Sequence, residues 1–361
     1  MNKKLALIFG TRPEIIKMAP FIHEAKTRAF NFFIIHTGQH YSDIMDKVFW
    51  NNLNLPDPKY NLGVGSGTHA EQVGKMMIGV EKVLAEEKPD YICVYADLNS
   101  SIAGALAAAK LGIPIIQLEA GLRSFDRGMP EEVNRLVVDR LASYFFAPTP
   151  LQQTHLENEG IRENIFVVGN LIVDAVTENV KKALATSSIM GRLGLERENY
   201  FLATIHRAGA VDNHQNFQNL LNGLALIAKR YKLPVMYPIH PRARKNLERV
   251  TLAADADIRI IDPVDYFDFL TLVSNAKLIL SDSGGIQEEA AILGVPLVTL
   301  RKNTERQETL TMGSNVIAGF DPETISQKTE EMISRERNWR HPYGEHVAQK
   351  MCNILEKVLS T

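Results

Sequence analysis

The chain has 361 residues, of which 45% are hydrophobic and 23% are charged, a composition typical of soluble globular proteins, and the length suits two domains of about 170 residues. Its formal net charge of −2 gives no electrostatic reason to expect nucleic acid or an anionic membrane as a partner. No apolar run approaches the roughly 18 residues that a membrane-spanning helix needs, so we expect no membrane segment.

The two cysteines, Cys93 and Cys352, fall in a predicted strand and a predicted helix. This usage favours a reducing compartment over a disulfide scaffold, and we therefore expect the protein in the cytoplasm. The opening segment MNKKLALIFGTRPE has too short an apolar run for a signal peptide, and it reads as the start of a buried strand. No Cys/His spacing indicates a metal site.

Short apolar runs alternate with helical patterns along almost the whole chain. Apolar strands between helices are typical of parallel sheets covered on both faces, so the pattern predicts an α/β protein with two doubly wound parallel sheets. The predicted strands are 5–9, 32–36, 91–95, 113–118, 144–147, 165–168, 201–205, 235–239, 258–261, 278–280, 296–300 and 315–317. The predicted helices include 14–29, 69–87, 100–111, 131–142 and 214–231.

Two sets of strands predict two Rossmann-like domains, at residues 1–172 and 173–344. The boundary falls within 170–195, where a helix leads into a polar stretch. The sequence leaves open whether a last helix, within 345–361, packs back on the first domain. Ligands of open α/β sheets bind at the carboxyl ends of strands, so we expect the active site in the cleft between the two domains.

The segment LILSDSGGIQEEA, residues 278–290, reads as a strand that turns into a helix. Ser283, Gly284 and Gly285 leave backbone N–H groups at the positive end of a helix dipole, which favours phosphate binding. A Glu one turn into the helix, such as Glu289, suits a ribose hydroxyl, although a plain strand–helix turn with a Ser cap fits the segment equally well. The GxGxxG fingerprint and the Walker A loop are absent, which argues against NAD and ATP as cofactors.

Several polar residues of the first half follow predicted strands or begin predicted helices. Arg12 and Lys17 lie near the start of a helix with a capping box, so they either bind an anionic ligand or are solvated helix residues. Asp97 is either a cleft carboxylate or a helix cap, and Glu119, directly after a buried strand, favours function over structure. Glu131 and Glu132 begin a helix that also carries Arg135, and these two carboxylates also fit simple dipole complementation.

The second half repeats this arrangement. His206, His240 and Arg301 each follow an apolar strand, where they would face a ligand, and a structural role for each histidine remains the alternative. Phe269 suits stacking on a base or burial in the core. Together, one domain presents carboxylates and Arg12 while the other presents an anion-binding turn with His206 and Arg301. That combination suits a nucleotide diphosphate held by the second domain, with its sugar against the carboxylates of the first.

Six motifs extend this interpretation to a known family. In this order and spacing they resemble the non-hydrolysing UDP-N-acetylglucosamine 2-epimerases, over residues 3 to about 344. The motifs are GTRPEIIKMAP, TGQH, PEEVNR, HR, SDSGGIQEEA and LRKNTER. The resemblance implies the GT-B fold, a UDP-sugar substrate bound mainly by the second domain, no metal or redox cofactor, and a homodimer.

The resemblance also implies a reaction and residue roles. UDP leaves sugar C1, the C2 proton is removed to give 2-acetamidoglucal, and re-addition with protonation from the other face gives the 2-epimer. Two faces require more than one acid/base group. The implied roles are catalysis for Asp97, Glu119 and Glu131, support of the departing diphosphate for His206, phosphate or sugar contacts for Arg12, Arg135 and the turn Ser283–Gly285, a ribose contact for Glu289 and a uracil contact for Phe269.

The chain departs from the family pattern in predicted strand-end loops. Ala96 and Leu98 flank Asp97 where the family has Gly and Thr, Gln117 stands in place of a His, and Gly209-Ala210 replace Glu-Asn. The loss of polar groups leaves open an epimerase of a modified UDP-sugar, such as a diacetamido uronic acid, or a UDP-sugar-binding protein without turnover. A glycosyltransferase is less well matched, because its chemistry does not require all three carboxylates.

Many bacterial members of the family are activated by a second UDP-GlcNAc, which binds through the TGQH segment and nearby residues. Here Gln39 and His40 are present, but Tyr41 and Ser42 follow them and the next loop is the glycine-rich segment 63–67. The sequence therefore predicts an enzyme without this activation.

Overall fold

The structure, a computed structural model, describes residues 3–38, 50 and 53–360. The chain divides into two compact units, one formed by Met1–Ala175 with Pro342–Thr361 and the other by Val176–His341. The division falls within a single helix, and the C-terminal segment belongs to the first unit. Each unit contains one parallel β-sheet and its own hydrophobic core.

The sheet of the first unit has seven parallel strands in the order β3-β2-β1-β4-β5-β6-β7. The strands are β1 (Leu5–Phe9), β2 (Phe32–His36), β3 (Tyr60–Asn61), β4 (Tyr91–Tyr95), β5 (Ile115–Leu118), β6 (Tyr144–Ala147) and β7 (Ile165–Val167). The strand order reverses between β1 and β4, so right-handed crossovers place helices on both faces of the sheet. The carboxyl ends of β1 and β4 form the switch point at which such sheets bind ligands.

The helices of the first unit cover this sheet. They are α1 (Arg12–Thr27), α2 (His69–Glu87), α3 (Asn99–Lys110), α4 (Pro130–Leu141), α5 (Pro150–Asn158), the first residues of α6 (Ile172–Thr186), and α15 (Val347–Val358) at the end of the chain. Helix α3 approaches the sheet closely at Gly104, where a Cβ atom would lie 3.1 Å from Ile8 and 3.2 Å from Val94.

The last helix packs within the first unit, against α1. Arg28 at the end of α1 donates a hydrogen bond to Asn353 and pairs with Glu356, 3.2 Å away. The apolar side of the last helix, α15, buries Met351 and Leu355, and this burial favours packing of the helix on the first unit.

The sheet of the second unit has six parallel strands in the order β10-β9-β8-β11-β12-β13. They are β8 (Phe201–Thr204), β9 (Val235–Pro238), β10 (Ile258–Ile261), β11 (Leu278–Ser281), β12 (Leu297–Thr299) and β13 (Asn315–Ile317). The helices are the rest of α6, then α7 (Ile189–Leu193), α8 (Ala208–Val211), α9 (His214–Tyr231), α10 (Pro241–Arg244), α11 (Tyr266–Asn275), α12 (Gly284–Leu293), α13 (Gln307–Thr311) and α14 (Pro322–Ser334). Here β8 and β11 form the switch point.

The prediction of two doubly wound parallel α/β sheets is therefore confirmed. Every predicted strand is present, with ends that differ by at most two residues. The two-residue strand β3 was not predicted, because Tyr60–Asn61 is too short to give an apolar run. The described residues include no helix long and apolar enough to cross a membrane.

Candidate active site

Helix α1 starts directly after β1, and its first turn is held by a buried carboxylate. Both Gly10 and Thr11 donate backbone N–H bonds of 2.8 Å to Glu14, as a capping-box Glu does. Ser100, at the start of α3, donates its hydroxyl to the same carboxyl group at 2.7 Å. Burial raises the pKa of Glu14 to about 7. Arg12 occupies the first position of this helix and is half-buried.

Glu119 is the residue that follows β5, and it is only 3% exposed. Its backbone has a φ of +59°, a left-handed conformation that is costly for a residue with a side chain. Lys17 lies with Nζ 2.8 Å from Oε1, and the Tyr95 hydroxyl donates to the same oxygen at 2.5 Å. The sequence-predicted residues Lys17 and Glu119 are thus brought together, and Tyr95 completes the group.

Asp97 lies after β4, the strand beside β5, and it is held by α4. Arg135 donates to its carboxylate through Nη1, and Asn134 donates to its backbone carbonyl at 2.8 Å. The other side of the Arg135 guanidinium donates to Glu132 through Nε at 2.9 Å and Nη2 at 2.6 Å. One buried arginine therefore positions a strand-end carboxylate relative to a helix.

The residue Gln117, which departs from the family pattern, has a positioning role. It donates a hydrogen bond of 2.8 Å from Nε2 to the carbonyl of Ala96. Ala96 has a φ of +54°, so the turn that carries Asp97 is held in a left-handed conformation by the neighbouring strand. Leu98, the N-cap residue of α3, is half-buried.

Glu131 and Glu132 lie side by side in the first turn of α4 but in different surroundings. Glu132 is buried, accepts from the backbone N–H groups of Ser124 and Phe125 at 2.9 Å each, and so holds the loop before the helix. Burial raises the pKa of Glu132, but the hydrogen bonds from the Ser124 N–H and from Arg135, together with the charge of Arg135, lower it by more. The pKa of Glu132 is therefore below its ordinary value. Glu131 is half-buried, and within the described part of the chain its side chain makes no hydrogen bond or ion pair.

The second unit places His206 against a buried aspartate at its own switch point. Asp282 follows β11 and is 0% exposed. Its Oδ2 accepts the backbone N–H groups of His206 and Arg207 at 2.8 Å each, and its Oδ1 lies 2.9 Å from His206 Nδ1. The ring of His240, the N-cap residue of α10, lies 5.5 Å from that of His206 between centroids.

The turn that begins α12 carries the residues of the predicted anion site. Ser283 is the N-cap residue and makes no side-chain cap, so the first N–H groups of the helix point outward without a cap from it. A Cβ on Gly284 would lie 2.1 Å from Oε1 of Glu305, whereas no described atom lies within 4 Å of a Cβ on Gly285. Arg301 pairs with Glu305 at 2.9 Å.

Two further predicted ligands of the second unit lie on neighbouring helices. Glu289 is 8% exposed on α12, and its charge helps to raise the pKa of the buried Tyr266, after the larger effect of burial. Phe269 on α11 is partly buried against a hydrophobic cluster that includes Leu297. Glu288, next to Glu289, is fully buried and pairs with Arg306 at 2.9 Å.

Sequence reasoning did not single out two residues that hold the predicted ones. They are Tyr95 and Asp282. A signal existed for one of them, since Asp282 directly follows a strand. Gln39 and His40, named for the activator site, lie outside the described residues.

Comparison with known proteins agrees with the motifs. Residues 23–356 match the family model described as UDP-N-acetylglucosamine 2-epimerase. A protein of that name from Methanocaldococcus jannaschii is 49% identical over 94% of this chain and 95% of its own length. A UDP-2,3-diacetamido-2,3-dideoxy-D-glucuronate 2-epimerase from Pseudomonas aeruginosa is 36% identical over 92% of this chain and 93% of its own.

A solved structure matches this chain over nearly its full length. The crystal structure of the Methanocaldococcus jannaschii UDP-GlcNAc 2-epimerase in complex with UDP-GlcNAc and UDP has a TM-score of 0.92 and 48% sequence identity. The match covers 98% of this chain and 99% of that one.

Proposed function

The chain belongs to the UDP-N-acetylglucosamine 2-epimerase family, and we propose that it interconverts UDP-GlcNAc and UDP-ManNAc. The observation that carries the proposal is the pair of strand-end carboxylates, Asp97 and Glu119. They follow adjacent parallel strands, and a separate cation holds each one, Arg135 for Asp97 and Lys17 for Glu119. This arrangement supplies two oriented acid/base groups, as inversion at a carbon beside a leaving group requires.

The chemistry proceeds by elimination and re-addition. The C1–O bond breaks with its electron pair going to the β-phosphate oxygen, and a carboxylate then takes the C2 proton, leaving 2-acetamidoglucal and UDP. A second acid/base group protonates C2 from the opposite face while the phosphate oxygen rebinds C1. We assign this proton transfer to Asp97, Glu119 and Glu131.

The second unit binds the nucleotide in this proposal. The N-terminus of α12, with Ser283, Gly284 and Gly285, takes the diphosphate, because its outward N–H groups and helix dipole favour negative charge. His206 supports the diphosphate as it leaves, and His240 and Arg301 add donors. Glu289 accepts from the ribose and Phe269 contacts the uracil. Arg12 contacts the phosphates or the sugar.

The experiment is proton NMR of UDP-GlcNAc with the purified protein in D₂O. Deuterium at C2 together with UDP-ManNAc signals is the expected result, since removal of the proton and its return from solvent exchange that position. Retention of hydrogen at C2, with UDP-GlcNAc binding still visible by saturation transfer, would exclude this substrate.

A second candidate is the same 2-epimerisation on a modified UDP-sugar. It is favoured by the half-buried Leu98 beside Asp97 and by the 36% identity to the Pseudomonas aeruginosa enzyme. The same NMR assay with a UDP-diacetamido-uronic acid gives a kcat/KM value to compare with that for UDP-GlcNAc. The sugar with the higher kcat/KM is the better substrate. Tight binding of both sugars without exchange at C2 would instead identify a binding protein.

The proposal includes a homodimer that works in the cytoplasm. Two buried thiols that form no disulfide, Cys93 and Cys352, support a reducing compartment. Light scattering coupled to gel filtration tests the dimer, with an expected mass of twice the 40.4 kDa of one chain.

A further inference from the structure

We propose that Asp282 is a positioning residue for this reaction, which holds the His206 ring with its proton on Nδ1 and stabilises the ring when Nε2 is also protonated. The inference rests on the proposed epimerase function, in which His206 supports the departing diphosphate. The inference adds Asp282 to the site as a residue that acts on the reaction through the His206 ring.

The strand register brings the two residues together. Strands β8 and β11 are neighbours, and Thr204 pairs with Ser281 in register, so the residues that follow them emerge side by side. The hydroxyl groups of Thr204 and Ser281 lie 2.6 Å apart and tie the two strand ends to each other. Asp282 is then buried with both carboxylate oxygens directed at the turn that carries His206.

Asp282 stays ionised in this environment. Burial alone raises its pKa, but His206 and the backbone N–H groups of His206 and Arg207 lower it below its ordinary value. An ionised carboxylate only accepts hydrogen bonds, so the nitrogen that faces it, Nδ1 of His206, carries a proton. A buried charge 2.9 Å from Nδ1 favours this orientation and this tautomer of the ring.

The fixed tautomer decides what Nε2 can do. His206 is 37% exposed, and no described residue hydrogen-bonds its Nε2. The oxygens of a diphosphate are acceptors, so Nε2 binds them only when it holds a proton. As the C1–O bond breaks, its electron pair stays on the phosphate oxygen, which accepts a hydrogen bond from Nε2. On re-addition the pair returns to C1, and Asp282 holds the ring in the same orientation throughout.

His240 gives an internal contrast. Its Nδ1 accepts the backbone N–H of Arg242 at 3.1 Å, so its neutral ring carries the proton on Nε2. The neighbouring rings therefore hold opposite tautomers, one set by a buried carboxylate and the other by a helix N–H group.

The first test is ¹⁵N NMR of the full chain with labelled histidine, which reports which ring nitrogen is protonated. Signals are assigned with His206→Asn and His240→Asn. We expect a protonated Nδ1 for His206 and a bare Nδ1 for His240. In Asp282→Asn the carboxamide donates toward Nδ1, so the His206 pattern inverts and that of His240 does not. A bare Nδ1 on His206 in the wild-type protein would overturn the inference.

The second test is a double-mutant cycle on the C2 exchange rate. Asp282→Asn should lower kcat by roughly 100-fold or more, by analogy with the loss of an orienting aspartate from other His sites. In the His206→Asn background the same change should have almost no further effect, because Asp282 acts through that ring. Equal losses in both backgrounds would mean that Asp282 only supports the backbone, and the inference would be wrong.

Controls separate folding from function. Asp321→Asn also replaces a carboxylate that accepts a backbone N–H, at the start of α14, and should leave kcat unchanged. Thermal unfolding checks each variant. If Asp282→Asn does not fold, the wild-type tautomer pattern and the His206→Asn rate still decide. The wild-type pattern without C2 exchange would refute epimerisation of UDP-GlcNAc, whereas exchange without the pattern would refute the role of Asp282.

Discussion

Lys17 and Glu119 are 102 residues apart in the sequence and form a buried ion pair, with 2.8 Å between Nζ and Oε1. The pair joins the first helix of the chain to the end of β5. It orients a carboxylate to which we assign proton transfer.

Replacement of Lys17 by Met leaves the Glu119 charge buried without its cation. We expect the free energy of unfolding at neutral pH to fall by about 3–5 kcal/mol. We also expect a large decrease in the C2 exchange rate, because Glu119 is no longer oriented. Urea denaturation followed by circular dichroism measures the first effect. The control Lys328→Met removes a surface pair with Glu331 and should change stability by less than about 1 kcal/mol. Equal stability of the two variants would contradict the prediction.

Arg135→Lys tests whether one guanidinium must hold two carboxylates. Lysine has a single ammonium group, which cannot reproduce the simultaneous bonds to Asp97 and Glu132, so Asp97 should move. We expect kcat to fall about 100-fold, the effect of a displaced catalytic group. Arg140→Lys, on the exposed side of the same helix, is the matched control and should keep full activity. Full activity of Arg135→Lys would show that Asp97 does not need a guanidinium that also binds Glu132.

Glu14 should make stability depend on pH. Its pKa is 4.5 ordinarily and about 7 in the folded protein because of burial. The folded state therefore binds the proton more tightly than the unfolded state does. As a result, the free energy of unfolding falls by about 3 kcal/mol as the pH rises from about 4.5 to about 7, and it stays constant at higher pH. Glu14→Gln keeps one acceptor oxygen, which can serve both Gly10 and Thr11, and should abolish this decline in denaturation curves measured from pH 5 to 8.

The matched control for Glu14 is Glu71, the capping-box Glu of α2. Hydrogen bonding to the backbone N–H of Thr68 lowers its pKa, so the sign is opposite. Its stabilising effect is present above pH 4.5 and is lost as pH falls. Glu71→Gln should therefore be less stable than the wild type at neutral pH and equal to it in acid. If Glu14→Gln and Glu71→Gln changed the pH dependence of stability in the same way, the opposite pKa shifts of Glu14 and Glu71 would be refuted.

Gly285→Ala separates ligand contact from folding. No described atom lies within 4 Å of the added Cβ, so the fold should tolerate the change and gain up to about 1 kcal/mol from the helix preference of Ala. If the diphosphate approaches this backbone, calorimetric titration should show UDP binding at least about 10-fold weaker, a loss of roughly 1.4 kcal/mol. The control is Gly191→Ala in α7, where no described atom lies within 4 Å of the added Cβ either; this change should leave UDP binding unchanged. Unaltered UDP affinity in Gly285→Ala would place the phosphates elsewhere.

The rate curve should show no activation by substrate. The residues that follow Gln39 and His40 differ from those of activated family members, so initial rates against UDP-GlcNAc should give a Hill coefficient of one. A coefficient clearly above one, or a rise in rate on adding a second UDP-sugar, would contradict this prediction.

The sequence determined the elements and the positions of most candidate residues. Apolar runs such as Tyr91–Tyr95 are buried along their whole length, so their bounds can be read directly. Because all strands are parallel, any residue after a strand, such as Asp97 or His206, falls on the same edge of its sheet as the others.

Only the tertiary structure decided which of these residues meet. Lys17 contacts Glu119 because β1, β4 and β5 lie next to one another in that order, and His206 contacts Asp282 because β8 lies beside β11. No local pattern contains these strand orders. The sequence likewise offers Glu131 and Glu132 as equals in one helical turn. Burial separates them, since a helix turns about 100° between neighbouring residues and only one of the two side chains faces Arg135.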